Sequence, residues 1–593
     1  MGFRILLALA VALVACKRNP PPPAPEVDPK TITWPAPADA APKPAWRSDA
    51  AVDDDPAVTG KSKTFMVASE SEQASKAGRD ILASGGNAVD AAVATAFALA
   101  VVHPSAGNIG GGGFAVVRLA PGKGTAVDFR EVAPAAATEK MYLDANGKPT
   151  DASLVGHRAV GVPGAVAGLY ELHKKHGKKP WRDVVAPAIK LARAGFVVDP
   201  KLAESILFLK ARLEKFPVTG SIWVPQGTAL AAGAVVKIPE LATVLERIAD
   251  KGPDGFYKGE TAAAIVAEMK AGGGIITAED LAAYKVVWRE PLAVAYRGNS
   301  LMTMPPPSSG GIVIAMTAGM MRQVELGKLQ WYGPDHVHRL VEVWRRGFAA
   351  RNELLGDPAF VKDIPIAKLV SQAYTDKLAS TITPKATPSK DVGGIIEGNH
   401  TTNLCVVDGK GMAVALTTTL NTSFGSGVTV KGGGFLLNNE MDDFTAKPGS
   451  PNTFGLVQGI TNKIEPGKRM LSSMSPTIVE DAQGQVLMLA GAGGGPRIIT
   501  AVWQTISNVI DFKQNVATAV ARPRVHHQHL PDTVFVEGQA LEESTDTTLR
   551  EMGHTLTWLP VRREFGAVTA IVRTADGWEG TADPRGGGAA IGD

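Results

Sequence analysis

One stretch limits what this chain can become: His400 to Phe444, HTTNLCVVDGKGMAVALTTTLNTSFGSGVTVKGGGFLLNNEMDDF. After Thr401-Thr402, two apolar runs flank Asp408-Gly409-Lys410-Gly411, and β-branched runs around a glycine turn predict a strand pair, TTNLCVVD and MAVALTTTL. Thr419, Asn421, Glu440, Asp442 and Asp443 follow within the same stretch. A hydroxyl nucleophile at the head of a strand, with amides and acids behind it, suggests acyl transfer. His400, immediately before Thr401, is the only histidine of the stretch, and none follows Thr401 within it to serve as base. A threonine freed as a chain N-terminus can use its own α-amine instead.

The rest of the chain narrows the class. Its 593 residues are 45% hydrophobic and 20% charged, enough for a large core and several ordinary domains. A net charge of +3 gives no field for a polyanion, so nucleic acid is not an expected partner. Two cysteines, Cys16 and Cys405, cannot supply a disulfide framework. Cys405 lies on the Thr401 side of its strand by period two and reads as a small buried apolar residue. No repeat of solenoid length is present.

The first 15 residues, MGFRILLALAVALVA, have one basic residue and an apolar run too short to span a bilayer, the pattern of a signal peptide. Leu13-Val14-Ala15-Cys16 resembles a bacterial lipobox, which implies lipidation at Cys16; ordinary secretion with an incidental cysteine is the alternative. Ten prolines between Pro20 and Pro44 make residues 16–50 an extended tether with no core of its own. The reading is of an exported protein, lipid-anchored to a bacterial membrane and facing the periplasm or the cell surface.

Beyond the tether, helices are expected at Ser69 to Leu82 and at Ala88 to Val101, the second apolar almost all round and therefore buried. Gly110 to Gly113 lacks the Gly-Lys-Ser/Thr of a phosphate loop and reads as close backbone packing. Helices are also expected at Pro163 to His176, Leu241 to Ala249, Thr261 to Ala271, after a capping box at Thr277, and at His336 to Asn352 with basic residues on one side. Residues 380–400 read as an exposed linker. After Thr401, strands are expected in VTVKGGGFLLNN, MSPTIVE, QVLMLAGAG and REFGAVTAIVRT, with helices around Arg497–Ile510 and Leu541–Met552. Pattern alone gives a large α/β protein.

Five segments in order, GGNAVDAAVATAFALAVVHPSAGNIGGGGF from Gly85, DFREVAP from Asp128, the Thr401 stretch, RMLSSMSPTIV from Arg469 and GAGGGPRIIT from Gly491, resemble the γ-glutamyltransferase (γ-glutamyltranspeptidase) family of self-cleaving N-terminal-nucleophile hydrolases. From about Lys63 onward little of the chain falls outside the resemblance. It implies a four-layer αββα sandwich built jointly by a large subunit, residues 51–400, and a small catalytic subunit, residues 401–593, paired as a heterodimer. It implies autocleavage between His400 and Thr401, with Thr401 as nucleophile and Thr419 orienting it. Arg130 would grip the substrate α-carboxylate with help from Ser472 and Ser473. Asn421, Glu440 and Asp443 would surround the α-amine, while Asp442 turns outward. Gly494 and Gly495 would form the oxyanion hole. Read without the resemblance, Arg130 is a solvated surface group and Thr401-Thr402 an ordinary strand pair.

The implied activity transfers a γ-glutamyl group from glutathione or similar amides to water, amino acids or dipeptides, with no cofactor. His526, His527 and His529 have weak HxH spacing and no expected metal. Where bacterial members usually carry a lid tyrosine, this chain has Phe454, which implies a lid short of one hydrogen bond. The alternatives are an acylase of other amides, like the cephalosporin acylases, and an uncleaved, inactive binding protein.

Overall fold

Strand Thr402–Val407 shows how the sequence builds the layers. Its side chains alternate: Leu404 and Val406 enter one apolar core, while Cys405 and Val407 enter another. Both faces are therefore covered, and a strand covered twice belongs inside a sandwich. The computed structural model describes residues 46–47, 58–391, 401–448, 450, 458–561 and 565–593. Cys16, His400 and Phe454, and with them the leader, the scissile bond and the lid position, lie outside the described residues.

The sheet that holds this strand has seven members. In order they are Ala589–Gly592, Met66–Ser69, Thr402–Val407, Ala413–Thr419, Gly112–Ala120, Lys123–Asp128 and Val287–Arg289, all antiparallel. The second seven-stranded sheet runs Val58–Ser62, Gly577–Ala582, Ala567–Thr574, Val486–Gly493, Thr477–Glu480, Asn299–Thr303 and Leu292–Tyr296. The two sheets meet where Thr402–Val407 and Ala413–Thr419 lie against Val486–Gly493. Helix Ala88–Val102 covers the outer face of the first sheet, and helices Gly310–Met321 and Arg497–Ile510 cover the second. Helix, sheet, sheet and helix make the expected four layers, and each sheet draws strands from both sides of Thr401.

Local chemistry explains the buried helix. All 15 residues of Ala88–Val102 are buried, and Asn87 opens it with a capping box closed by Asp90. The glycines after it pack as expected. A Cβ on Gly111 would stand 2.1 Å from the Thr419 carbonyl oxygen, and one on Gly113 2.2 Å from that of Thr417. Only a bare backbone lets strand Gly112–Ala120 lie against the strand that ends at Thr419.

Several expectations are corrected. Ser69 to Leu82 divides into strand Met66–Ser69 and helix Glu72–Ala83. VTVKGGGFLLNN forms no strand, only a bridge between Thr429 and Leu436, because Gly432 and Gly434 take positive φ and fold it into a turn. Of the four arginines of helix Pro334–Leu354, three, Arg345, Arg346 and Arg351, are buried. The linker residues whose burial is described, 380–390, are mostly exposed but anchored at Ser389, which is buried and donates its N–H to Asp532 Oδ2 at 2.7 Å.

Candidate active site

Thr401 stands immediately before strand Thr402–Val407, and the register Thr402↔Thr418 sets it beside Thr419 on the antiparallel neighbour. The two hydroxyls are 3.4 Å apart, with Thr401 donating. Thr419 Oγ1 also accepts the Asn421 N–H at 2.7 Å, which fixes where its lone pairs point. Asn421 holds a positive φ of 77°, and its side-chain amide donates to the Asn439 carbonyl at 3.0 Å. Such backbone strain persists only where the surroundings impose it.

A narrow cleft gathers Thr401 with Arg130, Asn421, Glu440, Asp443, Ser472, Ser473, Met474, Gly495 and Ile498. Eight of the ten substrate and catalytic residues expected from sequence thus line one space; Thr419 adjoins Thr401, and Gly494 precedes Gly495. Among the described residues lining it there is no histidine, lysine or cysteine.

Arg130 is the best-fixed group in the cleft. Its N–H donates to Asp128 Oδ1 at 3.0 Å, and its carbonyl accepts from the Tyr284 hydroxyl at 2.8 Å. Asp128 is itself held by Arg289, with Nη2 at 2.6 Å, and by Arg469 at 3.3 Å. The fully buried guanidinium donates to Glu440 Oε1 and to Asp443 Oδ2, and its Nε reaches the Met470 carbonyl at 3.3 Å. Glu131 adds a third carboxyl, 3.7 Å from Nη1.

The structure therefore places in direct contact groups that the family resemblance assigns to opposite ends of a substrate. Burial lowers the affinity of Arg130 for its proton, but Glu440 and Asp443 more than restore it. Burial pushes Glu440 well above the usual carboxylate range and Asp443 upward, against the pull of Arg130. It pushes Glu131 up to about 7. Glu440 Oε2 and Asp443 Oδ1 are buried without a hydrogen-bond partner among the described residues. Buried acceptors of that kind call for a cationic donor.

Ser472 Oγ accepts the Met474 N–H at 3.1 Å, and the Ser472 carbonyl takes both the N–H and the hydroxyl of Ser309 at 2.7 Å. The segment that carries Ser309 thus buttresses the serine pair from behind. Ser473 Oγ receives Arg351 Nη2 at 3.4 Å, and the charge of Arg351 also favours ionised Asp443. Asp442 is the exception to the expected outward turn. It is buried and accepts the Ser153 hydroxyl at 2.6 Å, away from Arg130.

Gly494 and Gly495 have φ of 132° and 56°, between strand Val486–Gly493 and helix Arg497–Ile510. A helix N-terminus directs backbone N–H groups and positive partial charge forward, which suits a developing oxyanion. A Cβ on the preceding Gly493 would come within 1.6 Å of the Thr401 carbonyl oxygen, so no side chain fits there.

Sequence reasoning missed Glu131, Arg351 and Gly493. Glu131 and Gly493 adjoin residues that were singled out, and that adjacency was the available signal; Arg351 had none beyond a helix rich in arginine.

Cys405 behaves as expected: it is buried, and burial pushes its thiol up to about 12. His526 and His527 are buried and depressed by that burial, His526 to about 3, and His526 is held by Thr500 and Gln528 at 2.7 and 2.6 Å. Elsewhere, His338, Glu342 and His554 bring three ligand-type atoms within 4.8 Å. Glu342 already accepts from Arg345, Arg346 and Thr387, and two guanidinium groups on that carboxylate oppose a dication.

A threonine heading a central strand of an αββα sandwich, with no histidine, lysine or cysteine among the described residues lining its cleft, fits an N-terminal-nucleophile hydrolase. The γ-glutamyltranspeptidase family model matches residues 74–593, and the chain belongs to that family. It is 46% identical over 538 residues to the glutathione hydrolase proenzyme of Pseudomonas aeruginosa, covering 88% of this chain and 94% of the relative. It is 45% identical to the Escherichia coli glutathione hydrolase proenzyme, covering 88% and 91%. Among solved structures, the cephalosporin acylase of Bacillus halodurans aligns over 96% of this chain and 99% of its own at 26% identity, with a TM-score of 0.78. The γ-glutamyltranspeptidase of Helicobacter pylori aligns over 54% of this chain and 92% of its own at 42% identity, with a TM-score of 0.53.

Proposed function

We propose that this protein is a γ-glutamyltransferase and glutathione hydrolase that matures by its own cleavage between His400 and Thr401. In the precursor the Thr401 hydroxyl attacks the His400 carbonyl, and water opens the resulting ester to leave two chains. The freed α-amine, with an ordinary pKa of about 7.7–8.0, then takes the Thr401 hydroxyl proton as the oxygen attacks a γ-glutamyl amide. The amine passes that proton to the leaving nitrogen, and a γ-glutamyl-Thr401 ester remains. Water completes hydrolysis; the amine of an amino acid or dipeptide completes transfer. Thr419 holds the nucleophile, and the N–H groups of Gly494 and Gly495 receive the oxyanion.

One observation carries the substrate class: two unpartnered carboxyl oxygens, Glu440 Oε2 and Asp443 Oδ1, stand beside Arg130 in the cleft that holds Thr401. An α-amino acid head group satisfies both needs, its ammonium meeting Glu440, Asp443 and Asn421, its carboxylate meeting Arg130, Ser472 and Ser473. The γ-carbonyl then extends toward Thr401. The same residues weigh against a cephalosporin-acylase-like specificity, since an acyl group without that head would leave them buried and unanswered. The expected result with glutathione is release of glutamate and cysteinylglycine. The isomer linked through the glutamate α-carboxyl should not be turned over, having no free α-carboxylate for Arg130. Equal turnover of both isomers contradicts the assignment.

Export and anchoring through a lipidated Cys16 belong to the same proposal, supported by the apolar leader and the Leu-Val-Ala-Cys junction. Cys16→Ala is expected to free the protein from the membrane fraction or to block leader removal. Wild-type protein wholly in the soluble fraction, with no lipid by mass spectrometry, would count against it.

A further inference from the structure

Beside the start of the nucleophile strand lies a buried carboxyl that the proposed mechanism does not use. Strand Met66–Ser69 pairs with Thr402–Val407 as far as Ser69↔Leu404, and there the ladder ends. Asn403 would next need a backbone acceptor; instead Glu70 Oε1 takes its N–H at 3.3 Å. A Cβ built on Gly493 would lie 1.6 Å from the Thr401 carbonyl oxygen and 3.4 Å from Glu70 Oε1, so the two oxygens border one spot.

The other carboxyl oxygen, Oε2, faces His103 Nε2 at 3.7 Å. That ring nitrogen lies 3.3 Å from Ser105 Oγ, and the Ser105 carbonyl accepts the Phe424 N–H at 3.0 Å, in the loop that carries Asn421. A buried chain of polar contacts thus joins the head of the nucleophile strand to the loop that reads the substrate amine. Both Glu70 and His103 are buried.

We propose that Glu70 is a positioning residue that braces the N-terminal threonine segment as a neutral acid, its second oxygen turned toward His103. The inference rests on the proposed function, since it gives Thr401 the N-terminal amine that serves as base. In the neutral pair, one Glu70 oxygen accepts from Asn403 while the other keeps the proton and faces His103 Nε2, 3.7 Å away. No proton passes from Glu70 to substrate.

The surroundings favour this state. Burial pushes the Glu70 carboxyl up to about 8, and the charge of Asp583 pushes the same way, while Asn403 and the Thr402 hydroxyl pull against them. Asp583 is itself engaged by Arg524 and Arg585. Burial lowers His103, with Asp199 acting against it. Near pH 7 the proton therefore resides on the carboxyl. Above that, ionised Glu70 puts a negative charge two residues from the nucleophile segment. That charge holds the α-ammonium proton more tightly and opposes the oxyanion of the tetrahedral intermediate.

The test is the pH dependence of kcat, from about pH 6 to about pH 10, on a saturating γ-glutamyl anilide with the cleaved wild type and two variants. Wild type is expected to lose rate on the alkaline side with an apparent pKa near 8. Glu70→Gln keeps the shape and cannot ionise, so it should lose that limb, raising the ratio of kcat at about pH 9 to that at about pH 7 by threefold or more. Glu70→Asp, still ionisable, should retain the limb. Superimposable wild-type and Glu70→Gln profiles overturn the proposal. If Glu70→Gln does not fold, wild type alone decides: a kcat that stays flat through the alkaline range overturns it. A cleaved wild type with no γ-glutamyl turnover at any pH contradicts the proposed function instead, so the two failures are distinct.

Discussion

Thr401→Ala is expected to yield a single uncleaved chain with no measurable turnover of γ-glutamyl substrates. The substitution removes the atom that attacks in both reactions, and without cleavage the α-amine that serves as base never forms. Loss of a hydroxyl nucleophile and its base together costs on the order of 10⁴–10⁶ in rate. Fold loss is not the expected cause. Thr401 is only half-buried, and the strand it precedes keeps its pairing through Thr402↔Thr418. The check is a denaturing gel of freshly purified protein beside a kinetic assay. A variant that still divides before residue 401 on its own when pure would mean that the cleavage is not driven by this hydroxyl.

Arg130→Lys carries the second large effect, and it should fall on substrate use while leaving maturation intact. The guanidinium holds Glu440 and Asp443 with separate nitrogens while its Nε reaches the Met470 carbonyl. An ammonium is a point donor and cannot keep that fork and also receive both oxygens of a substrate carboxylate. Breaking a buried charge pair costs about 3–5 kcal/mol when a partner is lost, and lysine restores part of that. A fall of roughly 10²–10³ in kcat/KM is expected, mostly through KM. Cleavage should proceed, because Arg130 pairs with the recognition carboxyls and not with Thr401. Unchanged KM and kcat would remove Arg130 from substrate recognition.

How much could be read without coordinates depended on whether a signal was local. The pair Thr402–Val407 and Ala413–Thr419 declares itself by β-branched runs around Asp408-Gly409, and its register brings Thr401 and Thr419 together. Helix Ala88–Val102 is legible because every turn is apolar. Strand Met66–Ser69 is not: its four residues are buried on both faces and show no alternation, so it merges with the helix that follows. Strands Gly577–Ala582 and Ala589–Gly592 are also illegible, being short and rich in glycine and alanine. The burial of Arg345, Arg346 and Arg351 could not be read locally because, beyond Glu342, some of their partners lie far along the chain: Asp532 for Arg345, Thr381 for Arg346, Ser473 for Arg351. The direct pairing of Arg130 with Glu440 and Asp443 is likewise a tertiary fact. Resemblance supplied the residues, and only the fold shows that the two halves of the recognition site neutralise each other.

The central claim is that one threonine is both the new N-terminus and the acyl carrier. Intact-mass measurement of the wild-type protein, acid-quenched during turnover of glutathione, tests it most directly. Two chains are expected, the smaller beginning at Thr401 and a fraction of it heavier by one glutamyl residue. Peptide mapping should place that addition on Thr401, and hydroxylamine should remove it as it removes an ester. An undivided chain that turns over glutathione, or a glutamyl group mapped to any other residue, would contradict the account.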